Sequence, residues 1–269
     1  MVKVSGRSGW RLISVLLIIV LLATACGDAS PPPPEGTPII FLHHSTGGVI
    51  WEGGVESSLE SYNSDHDTDY AIVERAFPGD GYPWENYPYD YWNIWVEHEG
   101  DRRYKKQETL EILTADYDLI VWKHCFPVSG MEPDSGEPDI SSAVKSAENY
   151  KLQYQALKEK MHQFPETKFL VWTGAALVAE ANDAESARRA EAFFDWVIEE
   201  WDEPEDNIYL WDFWQLETEG GLYLREEYAA GPGDSHPGSA FAADVAPLLA
   251  QRIVDVLEGR GDSSTLTGQ

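Results

Sequence analysis

A chain of 269 residues that is 43% hydrophobic and carries 11 Trp can bury a sizeable core, which excludes a disordered polypeptide. Its formal net charge of −28 argues against a nucleic-acid partner and against attraction to anionic lipid surfaces. The charge favours solubility and points to no particular substrate.

The first signal in chain order is the N-terminus. Lys3, Arg7 and Arg11 precede an apolar run over residues 12–25 that is too short to span a bilayer comfortably. The run ends in Leu22-Ala23-Thr24-Ala25-Cys26, which resembles the lipobox of bacterial lipoproteins, with Ala23 where Leu is usual. The resemblance implies a signal peptide over 1–25 and acylation of Cys26. It also implies a protein that meets the membrane only through that lipid, in the bacterial cell envelope, facing periplasm or exterior. A membrane-anchoring helix and an ordinary cleaved signal are the alternatives. Loss of residues 1–25 removes three positive and no negative charges, taking −28 to −31. Residues 26–37, with Pro31-Pro32-Pro33-Pro34, read as an extended tether. With Cys26 acylated, Cys125 has no partner, so no disulfide is expected and the thiol suits a small buried apolar position.

From residue 38 the pattern alternates. Strands are predicted over 38–42 (PIIFL), 70–76 (YAIVERA), 117–122 (YDLIVW), 167–173 (TKFLVWT) and 207–211 (NIYLW). Helices are predicted over 46–62, 104–114, 140–164, 185–201 and 240–258. Short, continuously apolar strands between amphipathic helices define an α/β domain, a parallel sheet covered on both faces. Five such strands usually give a doubly wound fold with its site at the carboxyl ends of the strands. The domain is bounded at 38–259, and 260–269 is read as a flexible tail. One long insert, residues 77–101, is rich in Gly, Pro, Trp and Tyr.

Reactive residues that fall just after strands are the site candidates. Ser45 follows the first strand at the mouth of a helix, where free N–H groups suit a developing oxyanion. Thr46, Gly47 and Gly48 allow close backbone approach. The bland reading is a helix N-cap. His236, within Gly233-Asp234-Ser235-His236-Pro237 before the last helix, is a natural general base, and Asp234 can orient its imidazole. Its bland reading is a turn and cap. A second chemistry is metal binding: His43, His44, His124 and His236 lie near strand ends and, with Asp234, offer N and O ligands for zinc, without a known metal spacing. The insert residues Trp84, Asn86 and Trp92, with His44, can bind a sugar by stacking and hydrogen bonding; the alternative is that these rings are the loop's own core.

The order and spacing of FLHHSTGG (41–48) and GDSHPG (233–238) in a five-strand chain resemble the SGNH/GDSL hydrolase family over about residues 38–259. The resemblance implies a flavodoxin-like three-layer α/β/α sandwich with a five-stranded parallel sheet. It implies Ser45 as nucleophile, His236 as base and Asp234 as acid, with no cofactor, acting on a small acyl ester or an acylated glycan. The family usually has Gly-Asp before the Ser, where His43-His44 stands here. It usually has Asp three residues before the His, where Asp234 stands two before, so Asp212 is a second candidate acid. Its oxyanion hole adds a Gly after strand two, for which Gly79 or Gly81 is available. It also adds an Asn after strand three, where Lys123 and His124 stand instead. A non-catalytic glycan-binding lipoprotein on the same fold is the alternative from another class.

Overall fold

The computed structural model describes residues 32–269 together with Met1; the expected signal segment, Cys26 and residues 26–31 of the tether lie outside the described residues. Five strands form one sheet: β1 (Thr37–His43), β2 (Tyr70–Ala76), β3 (Leu119–Trp122), β4 (Lys168–Trp172) and β5 (Ile208–Trp211). All pairings are parallel, in the order β2-β1-β3-β4-β5. Alternation along the strands divides the core. Ile40, Leu42, Ile120, Trp122, Phe169, Val171 and Leu210 face one side, and Ile39, Phe41, Leu119, Val121, Leu170, Trp172 and Trp211 the other. Each set is covered by helices, so the expected α/β sandwich with a flavodoxin-like strand order is the observed fold.

The helices are α1 (Thr46–Glu52), α2 (Val55–His66), α3 (Pro88–Trp92), α4 (Leu110–Asp116), α5 (Ala147–Met161), α6 (Ala184–Trp196), α7 (Phe213–Thr218) and α8 (Ser239–Leu257). α1, α2 and α8 cover one face of the sheet and α3 to α6 the other. α6 shows the local logic plainly. The Asp183 carboxylate accepts from the Glu185 and Ser186 amides, and Ala187, Ala190, Phe193 and Phe194 form a buried stripe at helical spacing. Among the described residues no helix is long and apolar enough to cross a membrane.

Four element boundaries differ from expectation. The helix predicted over 46–62 breaks at Gly53-Gly54, where Gly54 has φ +112° and a Cβ on Gly53 would stand 2.3 Å from the Ala242 carbonyl oxygen. Glycine lets α1 and α8 touch through their backbones, and the contact ends α1. The helix predicted from 104 starts at Leu110, because Tyr104 and Gln107 form an antiparallel bridge and the Gln107 amide ties down Gly79, Asp80 and Lys105. The helix predicted from 140 starts at Ala147, since Gln153 Nε2 on α5 binds the Ile140 and Ser142 carbonyls and holds that stretch non-helical. The helix predicted over 185–201 ends as α6 and finishes in a π turn, Val197–Trp201.

The segment 260–269, expected to be a flexible tail, is packed. The Asp212 amide donates to the Leu266 carbonyl at 2.9 Å and Trp211 Nε1 to the Thr267 carbonyl at 3.0 Å. The buried Arg252 guanidinium of α8 donates to the Gly261 carbonyl at 2.6 Å and to Ser264 Oγ at 2.7 Å. β1 lies between β2 and β3, so the chain reverses its direction of winding there. Doubly wound folds place their crevice outside the carboxyl end of the sheet at such a reversal.

Candidate active site

Ser45 stands there, directly after β1 and at the N-cap of α1. Its backbone has φ 43° and ψ −93°, which an L-residue adopts only under strain. The turn is packed from below: a Cβ on Gly47 would lie 2.4 Å from His43 Cβ and 3.0 Å from Lys123 Cδ, so only glycine lets α1 start this close to the sheet. The Gly47 amide is taken by the His44 carbonyl at 2.8 Å, whereas the Ser45 amide has no acceptor among the described residues.

His236 arrives from the loop before α8. That loop is fixed by the Ala230 amide on the His236 carbonyl (2.8 Å) and the Gly238 amide on the Tyr228 carbonyl (2.6 Å). The buried Ser235 hydroxyl accepts the Val178 amide at 3.1 Å, tying the loop to the segment after β4. His236 Nε2 is in hydrogen-bond contact with Ser45 Oγ, across 191 residues of sequence. Its Nδ1 donates to Asp234 Oδ1 at 2.7 Å, and the same oxygen accepts the His236 amide at 2.9 Å. These two bonds hold the Asp234 carboxyl below the usual carboxylate range, the backbone amide contributing most. The Phe126 ring meets the imidazole edge-on at 5.0 Å.

Asp212 is elsewhere engaged. Its Oδ1 accepts from Thr173 Oγ1 at 2.7 Å and from the Gln215 amide at 3.1 Å as the cap of α7, with no contact to His236. The two-residue spacing of Asp234 and His236 therefore closes through a tight turn in which one carboxylate oxygen meets both the backbone and the ring.

The donors expected for an oxyanion hole are less well placed. The Gly79 amide is committed to Gln107 Oε1 at 2.6 Å. Gly81, at φ +95°, packs against the Lys105–Lys106 turn. The Lys123 side chain is fully buried and its ammonium points at the His44 carbonyl at 3.5 Å, beneath the Ser45 turn. His124 is buried among Tyr91, Trp122 and Tyr154, with neither ring nitrogen hydrogen-bonded. Among the described residues the Gly79 amide and the Lys123 ammonium are thus turned to protein acceptors and His124 is enclosed, whereas the Ser45 amide has no acceptor.

The two histidines before Ser45 divide their work. His43 is buried, and burial, helped by Lys123 and His44, pushes its pKa down to about 3; the neutral ring bonds Glu74 on β2 at 2.5 Å. His44 turns to the surface, with Nε2 donating to the Pro78 carbonyl at 2.6 Å and its ring stacked on Trp84 (centroids 3.6 Å apart, planes at 18°). Trp84 is 42% exposed. The other two insert residues are internal. Asn86 is buried with Nδ2 on the Phe77 carbonyl, and Trp92 packs beside Tyr89, so most of the aromatic insert is core of its own.

The zinc alternative does not assemble. Among the described residues no three His, Cys, Asp or Glu side chains come together as metal donors. His43 faces Glu74, His44 faces Pro78 and His124 lies in an aromatic shell, so the sequence neighbours diverge.

No family model matches the chain, and no curated protein does. Among solved structures, it resembles an acetyl xylan esterase at 15% identity and TM-score 0.46, over 77% of this chain and 95% of that one. It also resembles a gut microbial diltiazem-metabolizing enzyme at 9% identity and TM-score 0.45, over 86% of this chain and about half (49%) of that one.

Proposed function

We propose that the protein is a serine-dependent carboxylic-ester hydrolase of the SGNH type. The observation that carries the reading is the chain of contacts from Ser45 Oγ through His236 to Asp234, at the winding reversal of the sheet. Ser45 Oγ attacks the ester carbonyl as His236 Nε2 takes its proton. The Asp234 carboxylate on Nδ1 fixes the tautomer and stabilises the imidazolium. The Ser45 amide bonds the oxyanion of the tetrahedral intermediate. That intermediate expels the alcohol, which receives the proton from His236, and leaves an acyl group on Ser45. Water, deprotonated by the same imidazole, then releases the acid. Backbone strain at Ser45 fits this reading, because strained residues persist where they serve a site.

The substrate class proposed is an acylated glycan. One face of Trp84 is covered by His44, the neighbour of the nucleophile, and the side chain is otherwise open enough to stack on a sugar ring. The N-terminal Lys/Arg, apolar run and Cys26 support a lipid-anchored location in the cell envelope, where such glycans occur. The test is hydrolysis of an aryl acetate and of acetylated oligosaccharides by the domain spanning 27–269. Turnover that disappears in His236→Ala and survives a chelator is expected. Glycan binding without turnover would instead favour a binding protein, and turnover abolished by the chelator would favour a metal mechanism.

A further inference from the structure

Lys123 is a fully buried amine beneath Ser45 for which the proposed serine mechanism has no use. It leaves the end of β3, is 0% exposed, and forms no ion pair among the described residues. Facing it, His43 and His44 come from the end of β1, and Thr46 and Gly47 from α1. His124 and Cys125 continue its own strand, the Trp172 ring comes from β4, with its centroid 5.6 Å from the ammonium, and Glu217 from α7. An ammonium in such a place is costly unless something is gained from it. Among the described residues its only hydrogen-bond acceptor is the carbonyl of His44, the residue before Ser45, and its stem lies under Gly47.

We propose that Lys123 is a positioning residue for Ser45, holding the strained turn through the His44 carbonyl and placing a positive charge beneath the nucleophile and its oxyanion. The inference rests on the serine-hydrolase reading and adds to it a buried charge that takes the place of a side-chain donor. The cation acts through the backbone and through its field, not by touching substrate. Burial draws the Lys123 pKa down to about 8, with Cys125 and Glu217 opposing the fall, so the charge is present at neutral pH and is lost in mild alkali.

The test compares the parent with Lys123→Met, which keeps an unbranched stem of similar length. Expected are an unchanged KM, a kcat lower by roughly ten- to a hundredfold, and a melting temperature equal to or above the parent's, because an uncompensated buried charge is gone. The parent's kcat should fall as pH rises through about 8, and the variant should lack that limb. A variant with the parent's kcat, or one whose loss of kcat comes with an equal loss of stability and an unaltered pH profile, would overturn the proposal. If the variant does not fold, the parent alone decides: its rate of labelling by a fluorophosphonate should decline above about pH 8, and a rate that stays level into alkali overturns the role of Lys123 only. A parent that takes no label at any pH overturns the serine reading itself, and the role of Lys123 with it.

Discussion

At the scale of single residues, Ser45 holds a backbone conformation that costs on the order of 1–3 kcal/mol in ordinary proteins. Ser45→Gly relieves it and Ser45→Ala does not, so both variants should be inactive while the glycine form is more stable by about 1 kcal/mol, read from denaturant midpoints. The two candidate acids separate just as directly. Asp234→Ala should lower kcat by roughly 10²- to 10⁴-fold, because the imidazole loses its orienting partner. Asp212→Ala should change kcat little and lower stability by ~1–2 kcal/mol, the ordinary consequence of removing a helix cap. The meeting of Ser45 with His236 was legible because each sits beside a strand end or a helix start, where chain order alone fixes position. The oxyanion donors were not, because their availability depends on where side chains turn. Gln107, 28 residues on, takes the Gly79 amide, and nothing in the residues around Gly79 announces that.

At the scale of elements, the His236 loop is held to the β4 side by one buried hydroxyl. Ser235→Ala leaves the Val178 amide without its partner, which costs about 1–3 kcal/mol, and should lower kcat while KM stays near the parent value. Gly53→Ala puts a methyl 2.3 Å from the Ala242 carbonyl oxygen, so α1 must lift from α8. A drop in melting temperature together with loss of activity is expected, since α1 begins at Ser45. Trp84→Ala should raise KM for an acetylated oligosaccharide and spare a small aryl acetate, as measured by steady-state kinetics. Strands were legible to within one or two residues because continuous apolar runs survive any tertiary context. Helix starts were less so. The stretches 104–109 and 140–146 carry helical patterns, but Gln107 and Gln153 side chains bind backbone carbonyls there and hold the chain in other conformations.

For the whole domain, the closing segment matters more than its composition suggests. Residues 260–269 carry few apolar side chains, so the sequence reads as a tail. Their backbone carbonyls nevertheless satisfy Arg252 and Trp211 and join the end of β5. Deleting them strands a buried guanidinium and should destabilise the domain by roughly 3–5 kcal/mol, visible as a large fall in melting temperature. The doubly wound architecture itself was legible from alternation alone, because each parallel strand must be covered on both faces and the chain must supply a helix to do it. The packing of a polar segment against the last strand has no such periodic signature.

The measurement that bears most directly on the central claim is intact-mass analysis of the domain after incubation with a fluorophosphonate, followed by peptide mapping. One adduct per chain, located on Ser45 and absent from His236→Ala on the same timescale, is the expected result. A correctly folded domain that gains no mass, or gains it at another residue, would contradict a nucleophilic Ser45.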